Sequence, residues 1–62
     1  MPCINIEIGK LPLEKKKEII EKVSKVMSET TNIPLQAFTV FINEYDSESI
    51  GVGGVQLSEM QK

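Results

Sequence analysis

The length of this chain constrains its fold more than any other feature. Its 62 residues predict one domain over 1–62. A chain this short hides only about 60% of the surface that its unfolded form exposes, so a monomer would be marginally stable. Cys3 is the only cysteine and histidine is absent, so an internal disulfide is impossible and a His/Cys metal site is not expected. Association with other chains is the remaining source of stability.

Charge and hydropathy narrow the class of protein. Nine Asp and Glu residues stand against seven Lys and no Arg, which argues against a nucleic-acid binder. There is no apolar run of about 18 residues that would predict a transmembrane helix. The N-terminus also lacks the basic and long apolar regions of a signal peptide. With a single thiol that suits a reducing compartment, we expect a soluble cytoplasmic protein without a membrane or nucleic-acid partner.

The apolar residues change period along the chain. Alternation over residues 3–8 predicts a half-buried strand with Ile4, Ile6 and Ile8 on one face. From Leu13 to about Thr31 a helical period predicts an amphipathic helix of about five turns. Its apolar stripe comprises Leu13, Lys17, Ile20, Val23, Met27 and Thr30, with Ile19 and Val26 beside them. The segment "TTNIP" ends this helix through a left-handed Asn32 and through Pro34.

The remaining chain completes a β-α-β pattern. A second strand is predicted over residues 38–43, and its second face is partly apolar because it carries Phe41. The glycine-rich "IGVGGVQL" predicts a bend or hairpin, and the polar tail "SEMQK" is expected to fray. Strand, helix and strand predict parallel strands of the α/β (α+β) class with a right-handed crossover. A two-stranded sheet is rarely stable alone, so we expect an oligomer.

Pro2 precedes the first strand and admits two interpretations. Inside a chain its nitrogen is an amide without basicity, and proline is simply tolerated at the start of an edge strand. If Met1 is removed, the same nitrogen becomes a secondary amine and therefore a base. An α-amine has a pKa of about 7.7 to 8, and burial would lower that pKa further, toward the value that suits proton transfer at neutral pH.

Four features in order carry a resemblance to a known family. Pro2 opens the first strand, "GK" precedes a helix with "EKKKEIIEKVS", and "IPLQAFTVFINE" and "IGVGGVQL" follow. Over nearly its whole length the chain resembles the 4-oxalocrotonate tautomerase family. The resemblance implies removal of Met1, Pro2 as catalytic base, and dimers with a four-stranded sheet, usually three to a hexamer. It also implies enol–ketone interconversion of small unsaturated acids such as 2-hydroxymuconate, without metal or organic cofactor.

The sequence departs from this family where the substrate would bind. The family typically has two arginines, and Lys10 and Thr39 stand at the matching places. Ile50 matches an aromatic residue that walls the proline pocket. We therefore predict Lys10, Thr39 and Ile50 as substrate-binding residues for a small carboxylate, with Lys16 and Lys17 as alternative cations. A lysine supplies charge without the two-pronged grip of arginine, so weak or altered activity is expected.

Two other functions remain open at this point. A dehalogenase or decarboxylase relative would use the same base, although those reactions generally need strong carboxylate clamping or an activated water. A non-catalytic or small-ligand-binding oligomer would keep only the scaffold. Glu44, at the end of the second strand, is interpreted as a solvated charge rather than a second acid. The glycines of "GVGG" lack the following Lys-Ser/Thr of a phosphate-binding loop.

Overall fold

The computed structural model describes residues 2–60, and it confirms the β-α-β unit and the C-terminal hairpin. The elements are β1 (Cys3–Gly9), α1 (Leu13–Thr31), β2 (Thr39–Tyr45), β3 (Gly51–Val52), β4 (Val55–Gln56) and α2 (Leu57–Met60). Single 3-10 turns lie at Leu35–Ala37 and Ser47–Ser49. β1 and β2 pair in parallel from Cys3 opposite Thr39 to Gly9 opposite Tyr45. The carboxyl ends of both strands therefore meet at one edge of the sheet.

Both ends of α1 follow from local sequence. Pro12 precedes the helix in an extended conformation, and its carbonyl accepts from the N–H groups of Lys15 and Lys16. At the other end Asn32 is left-handed, with φ 63°, and its N–H donates to the Ser28 carbonyl at 2.9 Å. The predicted Asn32 cap is thus confirmed, and Asn is one of the few residues that adopts this conformation readily.

The sheet shields only part of the helix. Ile19 and Val23 are half-buried, whereas Leu13 and Val26 keep 78% and 59% of their surface exposed. Within the single chain the sheet therefore covers only the centre of the predicted stripe, because two strands are too narrow to reach its margins. On the sheet, exposure alternates along β1, and Phe41 on the face away from the helix is 49% exposed. One face of the sheet is consequently open in the single chain.

The C-terminal part differs from the sequence prediction in two ways. β2 begins at Thr39 instead of Phe38 and extends to Tyr45. The expectation that "SEMQK" frays is wrong for residues 58–60, which belong to α2, while residues 61–62 lie outside the described residues. The Leu57 N–H donates to the Ile50 carbonyl at 2.7 Å, which ties this segment back to the start of the hairpin.

Gly53 and Gly54 have φ 60° and 81°, as a two-residue hairpin turn with positive φ at both positions requires.

The described chain has no buried core of its own. None of residues 2–60 is fully buried, and the accessible surface is 4865 Å², whereas a compact monomer of this length exposes about 4,000 Å². The radius of gyration is 14.9 Å, against about 11 Å for a compact domain of this size. The isolated chain therefore leaves large apolar side chains exposed, among them Leu13, Phe41 and Val52.

Within residues 2–60, no helix is long and apolar enough to span a membrane.

Candidate active site

Pro2 and Thr39 lie together at the amino-terminal edge of the sheet. The Thr39 N–H donates to the Pro2 carbonyl at 3.1 Å. Thr39 is paired with Cys3 in the first pair of the β1–β2 register, and Pro2 directly precedes Cys3. Pro2 is half-buried. This bond fixes the backbone of Pro2 through its carbonyl and leaves its ring and nitrogen outside the strand ladder. The position is one where an amine could meet a ligand at the sheet edge.

Lys10 and Ile50 lie together at the opposite edge. Lys10 follows Gly9, the last paired residue of β1, and Ile50 precedes the hairpin. Both line a surface groove of about 800 Å³. The other residues along that groove are Gly9, Tyr45, Asp46, Ser47, Glu48, Leu57 and Ser58. Grooves at the carboxyl ends of parallel strands are common ligand sites.

One chain does not bring the four predicted site residues into one place. Pro2 and Lys10 are separated by the full length of β1, which at about 3.3 Å per residue amounts to roughly 26 Å. The predicted residues therefore form two pairs at opposite ends of the sheet: Pro2 with Thr39, and Lys10 with Ile50. A site containing all four needs more than one copy of the chain.

The Lys10 ammonium is only loosely held. Its Nζ lies 4.0 Å from Asp46 Oδ1, and the two side chains are 63% and 61% exposed. An ion pair this long and this exposed contributes little to stability. The charge of Lys10 thus remains accessible from the groove.

Glu44 is engaged in two bonds, so its interpretation as a solvated charge is wrong. Its Oε2 accepts from the Leu11 N–H at 2.8 Å, and its Oε1 accepts from Lys16 Nζ at 2.9 Å. The side chain of Glu44 is 20% exposed and that of Lys16 is 32% exposed. A sequence pattern could not reveal these bonds, because they join positions 33 and 28 residues apart.

These contacts also set the protonation of Glu44. The hydrogen bond from Lys16, then that from the Leu11 N–H, favour the charged carboxylate and lower the pKa of Glu44 below its ordinary value, with the charge of Lys10 adding a smaller effect. Glu44 is therefore an anion at neutral pH and not a proton donor. Lys16 already forms an ion pair with Glu44, so it is a less suitable cation than Lys10 for binding a carboxylate substrate. Lys17 lies on α1 beside exposed Leu13, away from the groove that holds Lys10.

A polar cluster that the sequence analysis missed lies on the open face of the sheet. Asn43, directly opposite Glu7, donates from Nδ2 to Glu7 Oε1 at 3.2 Å. Hydrogen bonding with Glu7, together with partial burial and the negative charge of Glu7, raises the pKa of the nearby Tyr45 hydroxyl. Only the strand register brings these residues together, and alternation alone does not specify a register.

The described residues offer no obvious alternative centre of chemistry. Residues 2–60 contain no group of three or more His, Cys, Asp or Glu side chains that could hold a metal ion.

The parallel β-α-β unit that follows Pro2 and ends in a glycine hairpin is the arrangement expected from the resemblance to the 4-oxalocrotonate tautomerase family. Residues 2–60 match the model of the family described as "Tautomerase enzyme", and the chain belongs to this family. It is 44% identical over 46 residues to a probable tautomerase of Bacillus cereus, covering 74% of this chain and 75% of that protein. It is 40% identical over 45 residues to the 2-hydroxymuconate tautomerase of Pseudomonas putida, covering 73% of this chain and 71% of that protein.

Solved structures agree with the sequence matches. The crystal structure of YwhB, a homologue of 4-oxalocrotonate tautomerase, superposes with a TM-score of 0.88 at 30% identity. The superposition covers 95% of this chain and 98% of the YwhB chain. The fold class and the family predicted from the sequence are thus confirmed.

Proposed function

We propose that the chain is a single tautomerase domain over 1–62 that, once Met1 is removed, interconverts enol and ketone forms of small unsaturated 2-hydroxy and 2-oxo acids. The Pro2 amine takes a proton from the enol oxygen and returns it to a carbon of the conjugated chain. The observation that carries this proposal is the position of Pro2, held by Thr39 at a half-buried sheet edge within a tautomerase fold. The 2-hydroxymuconate tautomerase name of the Pseudomonas putida relative supports the substrate class.

Pro2 is proposed as the general base because the pKa of its amine suits proton transfer at neutral pH better than that of the other groups. Lysine amines have a pKa of about 10.4, whereas an α-amine begins at about 7.7 to 8 and falls further on burial. Glu44 is a poor candidate for the base, because its lowered pKa makes it a weak base and both of its oxygens already accept hydrogen bonds. Lys10 would stabilise the negative charge that develops on the substrate oxygen, and Thr39 would offer a hydroxyl. Ile50 would keep the pocket apolar.

The complete site is proposed to form between copies. β1 and β2 make a two-stranded sheet, so the outer edge of β1 is unpaired within residues 2–60. A two-fold axis perpendicular to the sheet pairs two β1 edges in antiparallel fashion. The start of one β1 then lies beside the end of the other, which brings Pro2 of one copy toward Lys10 and Ile50 of a second copy. The four-stranded sheet of such a dimer would in turn bury its open face in a larger assembly, such as a hexamer of three dimers.

We expect the protein to be an oligomer in dilute solution. The open face around Phe41 and the absence of a buried core among residues 2–60 both require a partner surface. Sedimentation velocity should give a species of at least two chains, and Phe41→Lys should shift it toward smaller species. Lys22→Ala, on the solvent side of α1 where the Lys22 side chain is 73% exposed, is the matched control. A folded parent that sediments as a monomer would contradict the shared site.

An assay with 2-hydroxymuconate tests the activity itself. The material is the chain with a confirmed Pro2 N-terminus, and the readout is ketone formation followed by ultraviolet absorbance. Turnover above the buffer rate supports the proposal. Turnover equal to the buffer rate, with 2-hydroxymuconate and related 2-hydroxy dienoates alike, would contradict it.

A further inference from the structure

The segment between β1 and α1 is short and is anchored at one point. It consists of Lys10, Leu11 and Pro12. The anchor is the Leu11 N–H, which donates at 2.8 Å to Oε2 of Glu44, a residue near the end of β2. Leu11 is half-buried, and a backbone N–H that donates to a carboxylate makes a stronger bond than one that donates to a neutral acceptor. The backbone immediately after Lys10 is therefore fixed to the sheet.

The second oxygen of Glu44 extends the anchor to the helix. Oε1 accepts from Lys16 Nζ at 2.9 Å, in the first turns of α1. A single carboxylate on β2 thus joins the loop and the helix that follows it. Both side chains are largely shielded from solvent, so the ion pair is less screened than the Lys10–Asp46 pair.

The Lys10 side chain has no comparable restraint. Its contact with Asp46 is 4.0 Å long and exposed. The backbone from which Lys10 projects consequently sets the region that its flexible side chain can reach. A displacement of about 1 Å in a charge-stabilising group can cost about a hundredfold in rate.

We infer that Glu44 is a positioning residue for Lys10: by holding the Leu11 N–H it sets where the Lys10 ammonium meets the substrate oxygen. This inference rests on the proposed function, in which Lys10 stabilises the developing charge. Glu44 takes no part in proton transfer, and its main effect on Lys10 passes through the bond to the Leu11 N–H, beside a weaker direct attraction between the two charges. Removing Glu44 should therefore lower kcat more than it raises KM.

A double-mutant cycle tests this role. Glu44→Met removes the acceptor for the Leu11 N–H, and it should lower kcat about ten- to a hundredfold. In a Lys10→Ala background the same change should have little further effect, because the group that it positions is already gone. Glu44→Gln keeps a carbonyl oxygen for the Leu11 N–H and should retain most of the turnover. Glu18→Gln is the control, since it removes the same charge from the exposed Glu18–Lys22 pair on α1.

The turnover of a variant is compared with that of the parent only when the variant is folded and assembled. Circular dichroism and sedimentation establish that each variant is folded and assembled. If Glu44→Met is not folded, Glu44→Asp replaces it in the cycle, since aspartate keeps the charge and withdraws it by one methylene. Hydrogen exchange at the Leu11 amide, measured in the parent and in the variant, should show protection lost together with kcat.

The inference and the proposed function can fail separately. Suppose that the parent is active. If Glu44→Met lowers turnover equally in the parent and in the Lys10→Ala background, or does not lower it at all, the role of Glu44 alone is overturned. A Glu44→Gln variant that falls as far as Glu44→Met also overturns it, since the carbonyl acceptor is then not what matters. An inactive parent with a free Pro2 amine overturns the proposed function, and with it this role of Glu44.

Discussion

A chain that retains Met1 should lose its tautomerase activity almost completely. With Met1 attached, the Pro2 nitrogen is an amide that cannot accept a proton, so the general base disappears. General-base catalysis contributes about a hundred- to ten-thousandfold to rate, and turnover should fall by that range. Chemical synthesis provides both forms, with and without Met1, and each is assayed with 2-hydroxymuconate after sedimentation has shown the same assembly.

Pro2→Ala is the companion variant for this experiment. It keeps a free amine once Met1 is gone, although the amine is primary and its orientation is no longer limited by a ring. Turnover should be lower than in the parent but well above that of the chain that retains Met1. Equal turnover of the two synthetic forms would show that the base lies elsewhere.

The second large effect is expected at Lys10. If its ammonium stabilises charge on the substrate oxygen, Lys10→Ala should lower turnover by about a hundredfold, as the loss of one well-placed donor does at comparable sites. Because the contact strengthens in the transition state, kcat should fall together with kcat/KM. Lys10→Arg should preserve or raise the activity, since arginine offers a forked donor to a carboxylate or carbonyl oxygen.

Lys17→Ala is the matched control for Lys10. It removes the same charge from an exposed position on α1, beside Leu13 and away from the Lys10 groove. Its effect should be far smaller than that of Lys10→Ala. If Lys17→Ala loses most of its turnover while Lys10→Ala keeps it, the stabilisation of substrate charge has been assigned to the wrong lysine.

Local patterns in the sequence were sufficient to predict the main elements. The change from alternation to a helical period placed α1 at its observed start, and Asn32 marked its end because few other residues adopt φ 63° without cost. The tail was mispredicted, since the bond from the Leu57 N–H to the Ile50 carbonyl depends on the hairpin between them. Polarity alone gave no sign of that closure.

The sequence supplied candidates for the site residues but not the geometry that relates them. Pro2, Lys10, Thr39 and Ile50 were selected by resemblance, which carries no distances. The register of β1 against β2 separates them into two pairs. The contacts of Glu44 and Glu7 were missed, because each joins residues about 30 or more positions apart in the sequence.

The most direct test of the central claim is the titration of the Pro2 nitrogen. Nitrogen-15 NMR of the mature chain, labelled at Pro2, gives the pKa of the amine, and the pH profile of kcat/KM gives the pKa of the catalytic base in the free enzyme. We predict that activity rises with pH as Pro2 loses its proton, and that the two pKa values coincide below the ordinary α-amine range of about 7.7 to 8. A Pro2 nitrogen that titrates far from the kinetic pKa, or that never titrates while the enzyme is active, would contradict the account.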